Sequence, residues 1–255
     1  MKISLCLTTS KKLYNSHVKD NINMIRKHWP EQIDKHIWSE DNIGNITGFT
    51  VHDLFLEAPE LKKFLDRHQN TEYKAPARHP KKGIKKYKEN LLKWPYKVYA
   101  QWCCSKNVDS DYMIFLDTDI VTQKNLPIHM LTQYCFDDKF TSYLGRSQNI
   151  RHERELRHWC YSETGFIIYN LRHPHAVEFF DRFVDYWTSD RIITETPDCV
   201  DNTVFDILRE KMEQEGKIIN YVIGDNQASN PLKKIELGRY LKHYMGENYF
   251  QKTVD

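Results

Sequence analysis

Nowhere in the 255 residues is there an apolar run of the ~18 residues that a membrane-crossing helix needs. The N-terminal stretch Ile3-Ser4-Leu5-Cys6-Leu7 gives way to Thr8-Thr9-Ser10-Lys11-Lys12, too soon for a secretory signal, and reads instead as a first buried strand. Glycine and proline are sparse at nine each, and no repeat or low-complexity segment is present, which excludes collagen-like and disordered chains. An excess of one charge is also missing. With 37 basic and 35 acidic residues the net charge is +2, so a strongly basic nucleic-acid binder and an acidic tail protein are both excluded. Cys-x-x-Cys does not occur, and the six cysteines include the adjacent pair Cys103-Cys104, a poor basis for a disulfide framework. Free thiols and a cytoplasmic location are expected.

What remains is a chain that is 40% hydrophobic and 13% aromatic, long enough to bury a full core. No linker divides it, so a single domain spanning residues 1–255 is expected. Short apolar runs alternate with amphipathic ones. Lys2–Leu7, Lys35–Trp38 and Thr50–Leu54 have the pattern of strands, and Ser16–His28 and Pro59–His68 that of helices. After a helix from Pro95 to Asn107 come further strands near Asp111–Val121, Thr141–Leu144, Thr164–Tyr169 and Ile218–Ile223, with helices near His175–Trp187 and Asp201–Glu215. Strands separated by helices predict an α/β fold with a central, mostly parallel sheet and helices on both faces. The basic, Pro/Gly-punctuated segment 71–90 is either a solvated loop or a lid that attracts phosphate or acidic sugar.

The most informative stretch is Tyr112-Met113-Ile114-Phe115-Leu116-Asp117-Thr118-Asp119. Carboxylates at the C-terminal end of a buried strand both reach the crevice above an open α/β sheet, where they can hold a hard divalent cation. The plainer reading is a strand end whose acids are solvated or cap the next helix. Thr8 and Thr9, and Glu40 and Asp41 after Ser39, fall at strand ends where such sheets place ligand-contacting loops; helix capping is the alternative. Asp201, at the start of a helix, is either its N-cap or, like Glu163 before an apolar strand, a base for an acceptor hydroxyl or a stabiliser of an oxocarbenium-like centre. Trp94, Trp102, Trp159 and Trp187 are core residues or stacking platforms for a sugar.

An apolar strand entering Asp-x-Asp about one hundred residues into an α/β chain resembles the nucleotide-sugar glycosyltransferases of the GT-A fold, with a motif order similar to glycosyltransferase family eight. Lys93-Trp94-Pro95-Tyr96-Lys97 looks like the lysine-bearing helix that precedes the metal strand, and Glu163-Thr164-Gly165-Phe166-Ile167-Ile168-Tyr169-Asn170-Leu171 looks like the Asn-Ala-Gly strand. Asp201-Asn202 stands where that family has Asp-Gln, and His243-Tyr244-Met245-Gly246 is similar to its C-terminal His-x-x-Gly. The Lys-Pro-Trp that follows in the family is absent, leaving Lys252 or Lys242 to grip a phosphate.

The resemblance implies a Mn²⁺- or Mg²⁺-dependent transfer of a sugar from a nucleotide donor, by family habit a UDP-sugar, to an acceptor hydroxyl on a glycan. It implies Asp117, Asp119 and His243 as metal ligands and Glu163, Asp201 and Asn202 as catalytic groups. Donor contacts would come from Thr8, Thr9, Glu40, Asp41, Lys97, Asp117, Thr118, Gly246 and Lys252. Residues 1–120 would form the nucleotide-binding half and 121–255 the acceptor-binding half. Two other readings compete. Asp117-Thr118-Asp119-Ile120-Val121 also fits the opening motif of haloacid-dehalogenase-like phosphatases, although 116 residues precede it here and Gly224-Asp225 lacks that family's second late acid. A sugar- or nucleotide-binding module without catalysis is the other.

Overall fold

Strand β1 (Ile3–Thr9) is buried almost throughout, as expected of a strand covered on both faces. Ser10 ends it, and its hydroxyl accepts the Leu13 N–H at 3.2 Å. This cap starts a helical run at Lys11, ahead of the Ser16 start that apolar spacing predicts. The cap is therefore Ser10, not Thr8 or Thr9. The run passes through a π-helical turn, Tyr14–Val18, into helix α1 (Lys19–His28), whose stripe Val18, Ile22, Ile25 and Trp29 is buried.

Strands β2 (Ile33–Ser39) and β3 (Thr50–Asp53) come next. Leu54 opens a short helical turn rather than ending β3, because the Asp53 carboxylate accepts the Leu56 N–H at 2.9 Å. Proline at the first helical position begins both α2 (Pro59–His68) and α3 (Pro95–Asn107). Then follow β4 (Tyr112–Leu116), β5 (Ile120–Thr122), β6 (Thr141–Arg146), β7 (Ser162–Asn170), α4 (Ala176–Thr188), α5 (Asp201–Gln214), β8 (Asn220–Asn226) and β9 (Leu241–His243). Strand β7 begins before the predicted Thr164, so Glu163 lies within the sheet. These elements come from a computed structural model that describes residues 1–70, 90–146, 162–196, 199–226 and 230–244. Most of the 71–90 segment, and Trp159, lie outside the described residues.

Seven strands form one sheet in the order β3-β2-β1-β4-β7-β6-β8. The pairs β1–β2, β1–β4, β2–β3 and β6–β8 are parallel, whereas β7 runs antiparallel to both β4 and β6. The expected α/β architecture with a mostly parallel sheet is present. Alternate side chains of each strand feed two cores. Cys6, Met113, Phe115, Ile167 and Tyr169 pack with the apolar faces of α2, α3, α4 and α5. Leu5, Leu7, Ile114, Leu116, Phe166 and Ile168 pack with α1 and with Leu232, Leu237 and Leu241 near the C-terminus. From β1 the chain moves outward to β2 and β3, and beyond β4 it builds on the other side. The strand order therefore reverses between the parallel neighbours β1 and β4, whose C-terminal ends form the kind of switch point at which open α/β sheets bind ligands. The antiparallel β7 adds its N-terminal end beside the C-terminal end of β4. Among the described residues no helix is long and apolar enough to cross a membrane.

Candidate metal and donor site

Asp117 is the first residue beyond β4, and its N–H donates to the Gly165 carbonyl at 2.7 Å, which ties the strand end to β7. A tight turn follows in which the Ile120 N–H bonds the Asp117 carbonyl, placing the half-buried Asp119 at the turn's corner. Asn21, fully buried on α1, clamps this turn. Its amide donates to the carbonyls of Thr118 (3.0 Å) and Ile120 (2.8 Å). Beyond the turn, β5 pairs with β9 in a separate two-stranded sheet whose register sets Ile120 opposite His243, and the Tyr244 N–H bonds the Asp119 carbonyl at 3.0 Å.

That pairing brings residues more than a hundred positions apart into one site. One ligand atom from each of Asp117, Asp119 and His243 lies within 4.8 Å of the others, a donor set able to hold a metal ion. Nε2 of His243 is 3.3 Å from Asp119 Oδ1. Buried polar atoms are nearly always hydrogen-bonded, yet Asp119 Oδ1 and His243 Nδ1 are buried and accept or donate no hydrogen bond. Two carboxylates and an imidazole suit Mn²⁺ well and Mg²⁺ acceptably, so the residues present fit the divalent cation that the motif implies. Burial pushes the Asp117 carboxyl up to about 6, with Asp119 and Asp201 pushing the same way and Lys97 pulling against them.

Lys97 projects from α3 into this group of acids. Its ammonium lies 2.9 Å from Asp117 Oδ2 and 3.0 Å from Asp201 Oδ2, and it is itself only 7% exposed. Burial disfavours its charge, but the two carboxylates outweigh burial and hold its pKa above the ordinary lysine value. Asp201 is the first helical residue of α5 and does not cap it; Val200 holds the cap position. The Asp201 carboxylate instead accepts the Thr164 hydroxyl at 2.8 Å. Asn202 follows, half-buried, in the first turn of the same helix.

Glu163, 5% exposed, pairs with Arg146 at the end of β6, and its Oε1 accepts the Gly165 N–H at 3.2 Å. Gly165 has little room for a side chain: a Cβ there would stand 3.1 Å from Asp117 Oδ2, Glu163 Oε1 and Ile120 Cδ1 alike. At the neighbouring strand ends, Thr9 is buried and Thr8 half-buried. Asp41 accepts the Lys11 N–H at 3.0 Å. Burial raises the Glu40 carboxyl above its ordinary value, while hydrogen bonds from Tyr96 and Ser10 pull it back. Trp94 stands with its ring centroid 5.2 Å from the Lys97 ammonium, at the site, whereas Trp187 is core. Gly246 and Lys252 lie outside the described residues. Sequence reasoning missed Asn21, Arg146 and the packing role of Gly165. Only Asn21 had a visible signal, a polar residue next to the apolar stripe of an amphipathic helix.

No family model and no curated protein matches the chain. Solved structures do. The apo form of mouse xyloside xylosyltransferase 1 aligns with a TM-score of 0.53 at 10% identity, over 97% of this chain and 99% of that one. The galactosyltransferase LgtC, in complex with donor and acceptor sugar analogues, aligns at 0.52 and 11% identity over 97% and 88%. The apo bifunctional glycosyltransferase WbbM aligns at 0.50 and 11% identity, over 97% of this chain but 46% of its own length. At such identities the likeness is one of fold. The chain has the α/β fold of these GT-A glycosyltransferases.

Proposed function

We propose that the protein transfers a sugar from a nucleotide-sugar donor to the hydroxyl of a glycan acceptor, in a reaction that depends on Mn²⁺ or Mg²⁺. The observation that carries this reading is the convergence of Asp117, Asp119 and His243 beyond the C-terminal end of β4, beside the sheet's switch point between β1 and β4, in a fold shared with glycosyltransferases. Glycosyl transfer makes a diphosphate leaving group that gains negative charge as the glycosidic bond breaks, and a divalent ion bound there would neutralise it. Asp119 and His243 would hold the ion, with Asp117 touching ion or ribose. Lys97 keeps the Asp117 and Asp201 carboxylates at fixed positions on either side of its ammonium.

The motif order similar to family eight makes UDP the proposed nucleotide. Thr8, Thr9, Glu40, Asp41 and Thr118 would line the donor side, and residues 1–120 would supply most of that half. Gly246 and Lys252, which lie outside the described residues, would belong to the same donor set. Asp201 and Asn202 belong to residues 121–255, the proposed acceptor half, and one of them would meet the acceptor hydroxyl or the oxocarbenium-like centre. A cytoplasmic site of action is part of the same proposal. No observation favours the phosphatase reading.

Thermal-shift titration with UDP, GDP and their sugars, with and without Mn²⁺, on the wild type and Asp119→Ala tests this. A ligand at a hundred times its dissociation constant adds about 2.7 kcal/mol of stability. We expect a Mn²⁺-dependent shift with one nucleotide that disappears in Asp119→Ala, followed by sugar transfer or hydrolysis from that donor. No shift with any nucleotide, in well-folded protein, would overturn the donor-site assignment.

A further inference from the structure

His243 has two faces. Its Nε2 faces Asp119, while its Nδ1, on the far side of the ring, lies 3.9 Å from Glu163 Oε1. The side chain is 5% exposed, and no hydrogen-bond partner reaches Nδ1. An imidazole ring binds a metal through an unprotonated nitrogen, and which nitrogen that is depends on what holds the proton of the other. Glu163 is the acidic group behind the ring. Its carboxylate is oriented from two directions, by the Arg146 guanidinium and by the Gly165 N–H. Both partners leave it an acceptor, and side-chain movement of about 1 Å brings Oε1 within hydrogen-bond distance of Nδ1.

We propose that Glu163, held by Arg146, accepts the Nδ1–H of His243 and so keeps Nε2 unprotonated and aimed at the metal position. The inference rests on the metal-dependent reading above. It assigns to Glu163, expected from the sequence to be a catalytic group, the task of a positioning residue. The burial of the carboxylate supports this, because a base for an acceptor hydroxyl must be reached by that hydroxyl, whereas Glu163 is enclosed by Arg146, Gly165 and His243. The chain Arg146–Glu163–His243 joins β6 and β7 of the seven-stranded sheet to β9 of the two-stranded one, so the approach of the two sheets sets the tautomer of the ligand.

Two measurements on the full-length chain test it. In the metal-free protein, ¹⁵N chemical shifts of the His243 ring should report the Nδ1–H tautomer in the wild type and its loss or mixing in Glu163→Ala. Mn²⁺ affinity, read from electron paramagnetic resonance of the free ion, should weaken about 10- to 100-fold in Glu163→Ala. Glu163→Gln, which keeps the volume and a carbonyl acceptor, should recover part of that loss and guards against a folding defect in the alanine variant. His243→Ala provides the reference for loss of a direct ligand. An Nε2–H tautomer in the wild type would overturn the proposal. So would wild-type Mn²⁺ affinity in folded Glu163→Ala when His243→Ala binds weakly. Failure of the wild type itself to bind Mn²⁺ would overturn the metal-dependent reading together with this inference, a result distinct from selective indifference to Glu163.

Discussion

Two groups of histidines and carboxylates sit at different places in this molecule, and only one has the makings of a ligand site. At the β2–β3 edge, His52 Nδ1 bonds Glu57 at 2.7 Å and its Nε2 meets His36 Nδ1 at 3.1 Å. The other oxygen of Glu57 accepts Trp38 Nε1 at 2.7 Å and Asn107 Nδ2 at 2.9 Å, and His52 stacks on Trp38 with ring centroids 4.2 Å apart. Both His52 nitrogens and both Glu57 oxygens are engaged within the protein. At the end of β4 the opposite holds, because Asp119 Oδ1 and His243 Nδ1 are buried without hydrogen bonds and acids crowd one another. Residue types alone do not separate these two groups; the clustered acids and the unsatisfied hydrogen-bonding capacity of Asp119 and His243 do.

The largest contrast should come from Asp119→Ala. We expect loss of about 100- to 1000-fold in transfer rate, with a matching loss of Mn²⁺ binding and little change in unfolding midpoint. Gly165→Ala should come next. A methyl group 3.1 Å from two carboxylate oxygens and Ile120 Cδ1 forces the turn or the ligands to move, at a cost of about 1–3 kcal/mol in denaturant unfolding and with weakened Mn²⁺ binding. Glu57→Ala should do the reverse of Asp119→Ala. Leaving Trp38 Nε1, the Asn107 amide and His52 without their acceptor should cost about 1–3 kcal/mol of stability while Mn²⁺ affinity stays at the wild-type value.

The smallest effect concerns pH. Burial, with His52 adding to it, holds His36 below its ordinary value of 6.5, against the pull of Asp34 and Glu57. Below 6.5 the unfolded chain therefore binds more protons at this position than the native one, so stability rises with pH across that window and falls on acidification. His36→Asn should flatten this slope in a series of unfolding curves and leave Mn²⁺ binding untouched.

Much of the fold was legible because its signals are local. Proline at the first helical position, the apolar stripe from Val18 to Trp29, and the run Tyr112–Leu116 each report a structure that neighbouring residues decide. Boundaries slipped where one side chain intervened, as with the caps by Ser10 and Asp53. The Asp-x-Asp turn was legible for the same local reason. The clamp from Asn21 and the pairing of Glu163 with Arg146 were not, since each joins elements whose approach depends on strand order.

By itself, the sequence determined an alternating α/β chain with two carboxylates at the end of a central strand. Apolar periodicity and a motif two residues apart act over a few residues, and no distant partner is needed to read them. The family resemblance implied Asp119 and His243 as ligands of one ion; only the tertiary structure decided that His243 turns Nε2 toward Asp119, that Lys97 bridges Asp117 and Asp201, and that Gly165 has to be small. Those facts follow from the reversal of β7 and the pairing of β5 with β9, long-range contacts in which hydrogen-bond register, not local propensity, sets which side chains face one another.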